Sequence, residues 1–361
     1  MTTPNRPRPV KKPVQKNVSA NDGPEKPYAL VSFPQQQPTL DAPIGHHRYA
    51  QDCYHGTLYL TLKVQTALHV STGITALGKD VGSKVPLIKT MVRGKNRALM
   101  IQGSSLKGCV RAIYEAITNS TLGVITKKIK DKNYLNKMPK DRWPYGFQDS
   151  RCNQNKLCPA SLVFGALDWQ GLVKFSDAEC QSSQSVTGFM PSLYRPRPDD
   201  RDAYFDHRGK AVGRKFYYHA AKAVSGGEQG IPVQQAGTES VFKTRLQIMN
   251  LAPAQLGAIL IALGQDKDYP MALKLGGGKP IGMGTVKVFV TQMKVSQGVG
   301  DRYAAYAVDN GPGLTGDAMV ALMQEVMQTA KRSRLIELPQ LQALADVLQW
   351  PTTRTAPEGE Y

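Results

Sequence analysis

Five glycines and three lysines crowd the stretch Leu273 to Val290, LKLGGGKPIGMGTVKVFV. Glycine-rich backbone beside lysine is the chemistry of anion binding: the N–H groups can approach a phosphate closely and an ammonium neutralises it. Two nucleotide-binding spellings are excluded. A P-loop needs G-x-x-x-x-G-K-[ST] opening a helix, but Lys279 is followed by Pro280, and Val286, Val288 and Val290 then alternate with Lys287 and Phe289 as in a strand. The dinucleotide fingerprint runs strand, glycines, helix, the reverse of this order. What is left is a loop offering Lys274, Gly276, Gly277, Gly278 and Lys279 to a phosphate backbone. The plainer alternative is a long hairpin turn that uses glycine only for its backbone freedom.

Two other stretches carry the same chemistry. In QGSSLKGCVRAIYEAITNS, Ser104 or Ser105 is placed to cap a helix, and Leu106, Cys109, Val110, Ile113, Tyr114 and Ile117 fall on one face. Lys107 and Arg111 stand one turn apart on another face. With the free N–H groups of the helix start they form a second phosphate seat. In GRKFYYH, Arg214 and Lys215 can grip phosphate while Tyr217 and Tyr218 stack on bases; equally, the aromatics can be half-buried in a strand with a solvated basic edge.

The elements that must position these residues follow from periodicity. Thr57 to Val70 alternates as a strand, with Leu58, Leu60, Leu62 and Val64 on one side. A Gly/Lys/Thr-rich excursion runs from Ser71 to about Ala98 before the helix. LVFG leads into a second strand, GLVKFSDAE, and VFKTRLQIMN reads as a third. A helix follows with Pro253 near its first turn and Leu256, Ile259, Leu260 and Leu263 on one face; then come the glycine loop and its strand. This order is that of a ferredoxin-like (RRM-like) βαββαβ unit, an α+β fold with an antiparallel sheet and a common RNA platform. We expect that domain over residues 27–300, with insertions at about 120–150 and 181–239. A disordered basic arm at 1–26 precedes it, and a helical extension and tail at 301–361 follow.

The chain has 361 residues and a net charge of +18, a bias that seeks a polyanion. No long basic amphipathic helix is present, so nucleic acid is favoured over a membrane surface. The apolar runs are too short to span a bilayer, and the polar, proline-rich N-terminus lacks the apolar core of a signal peptide. A cytoplasmic protein with reduced cysteines is expected.

Three spellings in order resemble one family. IQGSSLKGCVRAIYEA resembles the PGSSLKGxLR helix start of the RAMP superfamily of CRISPR effector complexes. LVFGALDWQGLVKFSDA is similar to its LFGS…GRLxFxDA strand, and LGGGKPIGMGTVKV to its glycine-rich loop and strand. The resemblance covers much of the span from Tyr54 to Val290. It implies a backbone subunit of a type III CRISPR ribonucleoprotein of antiviral defence. Its partners would be guide crRNA, target RNA, neighbouring backbone subunits and a large subunit, and its helix start and glycine loop would meet the sugar-phosphate backbone. A projecting thumb would interrupt the guide–target duplex.

In active members of this family an aspartate after the first strand cuts target RNA with a divalent metal such as Mg2+, a little before a PVIKD-like segment. Here the region is LHVSTGITALGKDVGSKVPLIKT. Its one acid, Asp80, stands two or three residues early, and Lys84 takes the more literal position. Some members carry a CPxC pair in a zinc site; here Cys152 and Cys158 stand six apart and Ser161 replaces the pair's second cysteine. Structural Zn2+ would need four ligands, the others coming from His46, His47, Cys53, His55, Cys109 or Cys180. Three readings stand: a backbone subunit that slices through Asp80; a metal-independent crRNA-precursor endonuclease with His219 or His69 as base; and an inactive capping or architectural subunit.

Overall fold

Alternating leucines set the centre of the molecule. The computed structural model describes residues 27–94, 96–123, 136–147, 150–181, 185–193, 204–304 and 311–356; the expected basic arm lies outside them. The chain begins with β1 (Tyr28–Ser32) and β2 (Tyr54–Val64), followed by a hairpin of β3 (Ser71–Leu77) and β4 (Leu87–Met91). The short β5 (Met100–Ile101) enters α1 (Gly103–Ile117). A short helix α2 (Pro159–Phe164) leads to β6 (Val173–Phe175) and β7 (Ala178–Cys180). β8 (Ser185–Met190), β9 (Gly213–Tyr217) and β10 (Ile231–Ala236) precede β11 (Val241–Leu251) and α3 (Pro253–Ala262). Then come β12 (Leu273–Lys274), β13 (Thr285–Ser296), α4 (Gly316–Arg332) and α5 (Leu338–Leu348).

The main sheet runs β12–β13–β2–β11–β7–β5, with β6 also on β11, and its pairings are antiparallel. Leu58, Leu60 and Leu62 of β2, with Phe242 and Leu246 of β11, are buried. They share one core with Leu106, Val110 and Ile113 of α1 and Leu256, Ile259 and Leu260 of α3. Burial of such side chains at about 1.5–3 kcal/mol each is the main source of stability. α3 is buried along Leu256 to Ala262 because α4 covers it with Met319, Met323 and Val326. The approach needs Gly257, where a Cβ would meet the Val326 carbonyl oxygen at 1.9 Å. α5 packs on α1 and β1, so residues 316–348 share the core of the sheet.

Two stretches, read as an excursion and an insertion, hold strands. The excursion after Ser71 is the β3–β4 hairpin, and 181–239 holds β8, β9 and β10. They form a second sheet, β8–β10–β4–β3, in which β10 and β4 are parallel, while β9 pairs antiparallel with β1. β3 is exposed along almost its whole length, so no in–out alternation marked it. The segment Leu162 to Phe164 closes a helix instead of opening a strand.

Arg214 was expected at the RNA surface. It is turned inward and mostly covered instead, its Nη1 3.0 Å from Glu115 Oε2, while Nη2 donates to the carbonyls of Ser120 at 2.8 Å and Thr121 at 3.2 Å. Arg111 holds the other carboxylate oxygen at 2.8 Å. One buried carboxylate thus ties β9 to α1 and to the chain leaving it. Glu115→Ala would leave two guanidinium groups unpaired and should lower stability by about 3–5 kcal/mol, measured as a lower urea midpoint.

Candidate nucleic-acid interface

The glycine turn is shaped by what it packs against. Gly276, Gly278, Gly282 and Gly284 all have positive φ, between +68° and +86°. At Gly276 a Cβ would meet the His69 carbonyl oxygen at 2.3 Å, and at Gly284 the Leu275 carbonyl oxygen at 1.9 Å. The Gly277 N–H donates to His69 O and the Gly284 N–H to Ala67 O, each at 2.9 Å. The turn is therefore wedged onto the chain just past β2. The Gly277 N–H, expected to face an anion, is already used internally.

The tip of α1 departs from expectation in the same way. Ser104 and Ser105 do not cap the helix, which starts at Gly103 with Gln102 as its N-cap. The Gly103 N–H donates to the Asp177 carboxylate at 2.7 Å, and the Ser105 N–H to Gln102 O at 3.0 Å. A carboxylate from the second motif thus answers the positive end of α1. Gly103 permits this approach, since a Cβ there would meet Phe175 O at 2.3 Å.

Between the turn and the helix lies a cavity of about 410 Å³, lined by Ser105, Cys109 and Ala112 of α1, Tyr217 of β9, and Gly276 and Lys279 of the turn. Lys215 and Lys274 complete its charged lining, and no carboxylate is among the lining residues. The glycine turn and the start of α1 thus line one cavity. Lys274 is 5% exposed and its Nζ has no hydrogen-bond partner. Burial, then the neighbouring Lys279, pull its ammonium down to about 7. Above it, the Cys109 thiol donates to the Lys274 carbonyl at 3.6 Å.

The remaining basic residues divide. Lys215 sits in an aromatic cage, its Nζ 3.8 Å from the Tyr28 ring centroid, 4.8 Å from that of Tyr217 and 3.1 Å from Tyr204 Oη. Lys107 and Arg111 line a separate cavity of about 380 Å³ with Tyr145, Phe164 and Trp169. Arg111 also donates to Gly165 O at 2.9 Å, and burial followed by Arg111 lowers the Lys107 ammonium. Lys107 and Arg111 thus lie in one cavity beside α1, and Lys274 and Lys279 in another. Ser104 is exposed at the tip.

The model of the RAMP superfamily matches residues 61–287, more than half of the chain and the span that carries both the α1 tip and the glycine turn. The chain belongs to the RAMP superfamily. No curated protein matches it. Among solved structures it is similar to a chain of the cryo-EM structure of the Type III-B Cmr-beta bound to cognate target RNA, at 15% identity and a TM-score of 0.33. The match covers 66% of this chain and 59% of that one.

Elsewhere in this RAMP chain, Asp80 is exposed on the turn Gly78–Val81 that joins β3 to β4. Ser83 Oγ, 2.7 Å from Thr187 Oγ1, ties that hairpin tip to β8. Lys84 is exposed beside it. His69 and His219 are interior. His69 Nδ1 lies 2.6 Å from Gln234 O, and His219 sits between Thr285 Oγ1 and Ala272 O. Burial, then Lys274, push His219 down to about 3. Neither imidazole is placed to take a proton from bound RNA.

Cys152 and Cys158 are buried together. Thr121 Oγ1 lies 3.1 Å from the Cys158 sulfur and 3.8 Å from that of Cys152, and Ser161 Oγ is 3.3 Å from Cys158. The hydrogen bond to Cys158, then burial, raise the Cys152 thiol. Among the described residues no group of three or more His, Cys, Asp or Glu is placed to hold a metal ion. The pair supplies two of the four ligands zinc takes, with hydroxyls as its other neighbours, a set that does not fit the metal.

Because Gly276 combines left-handed backbone with contact against His69 O, Gly276→Ala should cost about 2–4 kcal/mol. Differential scanning calorimetry should show the lowered Tm, and Gly108→Ala, in open space on α1, should not lower it.

Proposed function

We propose that this chain is an RNA-binding backbone subunit of a type III CRISPR effector, holding guide crRNA by its sugar-phosphate backbone. The observation that carries the reading is the cavity between α1 and the glycine turn, whose charged lining is three lysines without a carboxylate. Phosphates answer such a lining, and a strand of any sequence presents them. The open Gly108 and exposed Ala112 on α1 let a backbone lie close to the helix. Membership of the RAMP superfamily and the net charge of +18 favour the same ligand. We read the series β2, α1, β6, β11, α3, β13 as the ferredoxin-like βαββαβ core on which such a surface is built.

Cleavage of target RNA is the separable part of the proposal, and Asp80 carries it. Mg2+ commonly takes one or two protein carboxylates and fills its shell with water and substrate phosphate, so an exposed aspartate fits the donor type. When bound, the metal stabilises charge at the scissile phosphate and orients the attacking oxygen. Asp80 would hold it at the tip of the β3–β4 hairpin, apart from the guide cavity.

Binding of labelled single-stranded RNA across a salt series tests the first part. Lys279→Ala should weaken all sequences alike and reduce the slope of log K against log salt by about 0.7, one phosphate contact on a single strand; sequence-selective loss would contradict phosphate recognition. Asp80→Ala should leave guide binding within about twofold and abolish Mg2+-dependent cutting of complementary RNA in the assembled complex. Cutting that survives the substitution removes Asp80 from the chemistry.

A further inference from the structure

Lys274 does not belong to an ordinary basic surface. It lies on β12 between two core leucines, Leu273 and Leu275, and all three are almost fully buried. Its amine is unpartnered and covered, and the residue lines a cavity large enough for a phosphate with part of its sugar. The groups that face it are amines and neutral donors. Lys279 stands on the turn, Lys215 and Tyr217 on β9, and Cys109 on α1, while His219 lies behind it. Burial keeps the Cys109 thiol and the His219 imidazole uncharged around neutrality. A buried amine with no anion in reach is expensive as a cation, and an arriving phosphate supplies the missing counter-charge.

We infer that this cavity is a built seat for a single phosphate group, held by Lys274 from the floor and Lys279 from the rim, and that seating it draws a proton onto Lys274. The inference rests on the RNA-binding reading and deepens it: one phosphate of the strand is taken into the protein, while the others stay in solvent. The sign follows from linkage. The amine of the empty protein titrates at about 7, and an anion raises that value. Below the empty-state value the amine is already charged and affinity is level. Above it, binding must take up a proton, so affinity falls as pH rises, by up to about tenfold per unit. Lys279 and Lys215, which also line the cavity, add attraction for the anion.

The test uses the full chain and fluorescent single-stranded RNA titrated between pH 6 and 8.5, with inorganic phosphate and AMP as competitors. Wild type should lose several-fold to about tenfold affinity per pH unit above 7. Calorimetry in two buffers of different ionisation enthalpy should register proton uptake on binding. Lys274→Met should remove both the pH dependence and the uptake, weaken RNA at pH 6, and melt no lower than wild type, since it deletes an unpaired buried charge. RNA affinity that is level with pH and unchanged in Lys274→Met, with a salt slope still lowered by Lys279→Ala, overturns the seat and leaves the RNA reading intact. Absence of RNA binding, with inorganic phosphate or AMP bound by wild type and lost in Lys274→Met, overturns the RNA reading and identifies a seat for a free phosphate compound.

Discussion

Everything at the candidate interface hangs on one contact between two stretches of backbone. Just beyond β2, the carbonyls of Ala67 and His69 accept the N–H groups of Gly284 and Gly277. The fit is close enough that a methyl group on Gly276 would overlap His69 O. This contact fixes where the turn lies relative to α1, because β2 and α1 share the same core. It also explains the glycines in terms of the fold. Gly276 and Gly284 are required by backbone approach before any ligand is considered.

The same economy applies at the helix start. A free helix N-terminus is a ready anion site, but Asp177 occupies that role here. Two of the three family-like spellings are therefore in direct contact: the aspartate of KFSDA caps the glycine of QGSS, and Gly103 leaves room for Phe175. With the Gly103 N–H taken by Asp177 and the Gly277 N–H by His69, the charged groups lining the cavity are ammonium groups. This moves the weight of recognition from backbone dipoles to Lys274 and Lys279.

What could be read from the sequence was the part written in periodicity. β2, β11 and β13 alternate, and α1 and α3 carry continuous apolar faces, because each has one partner surface to satisfy. Their order along the chain followed. The second sheet did not: β3 is exposed and β8, β9 and β10 pair with strands distant in sequence, so nothing local required alternation. Side-chain fates were the least legible. Arg214 and Lys215 look alike in GRKFYYH, yet one is paired with Glu115, 99 residues away, and the other caged by Tyr28 and Tyr204. Lys107 and Arg111 lie on the flank of α1 away from Ser105, Cys109 and Ala112, as helical spacing requires; the partner there, Gly165, is visible only in three dimensions. Lys274 misled most. Between two leucines it reads as the wet side of a strand, but β12 is covered on both faces.

That burial gives the lysine its meaning. An arginine at the same position would stay charged under any condition and would carry its full desolvation cost in the empty protein. A lysine can shed its proton and lower that cost, so the fold tolerates it at the floor of the cavity. The core around β2 and α3 is built mainly of apolar side chains, and sequences that agree with their fold at every level break the rule mainly where something must bind. An unpaired amine at the junction of the turn and the helix is such a break. Its position, not the number of lysines on the surface, is what singles out this cavity within a chain that is basic throughout.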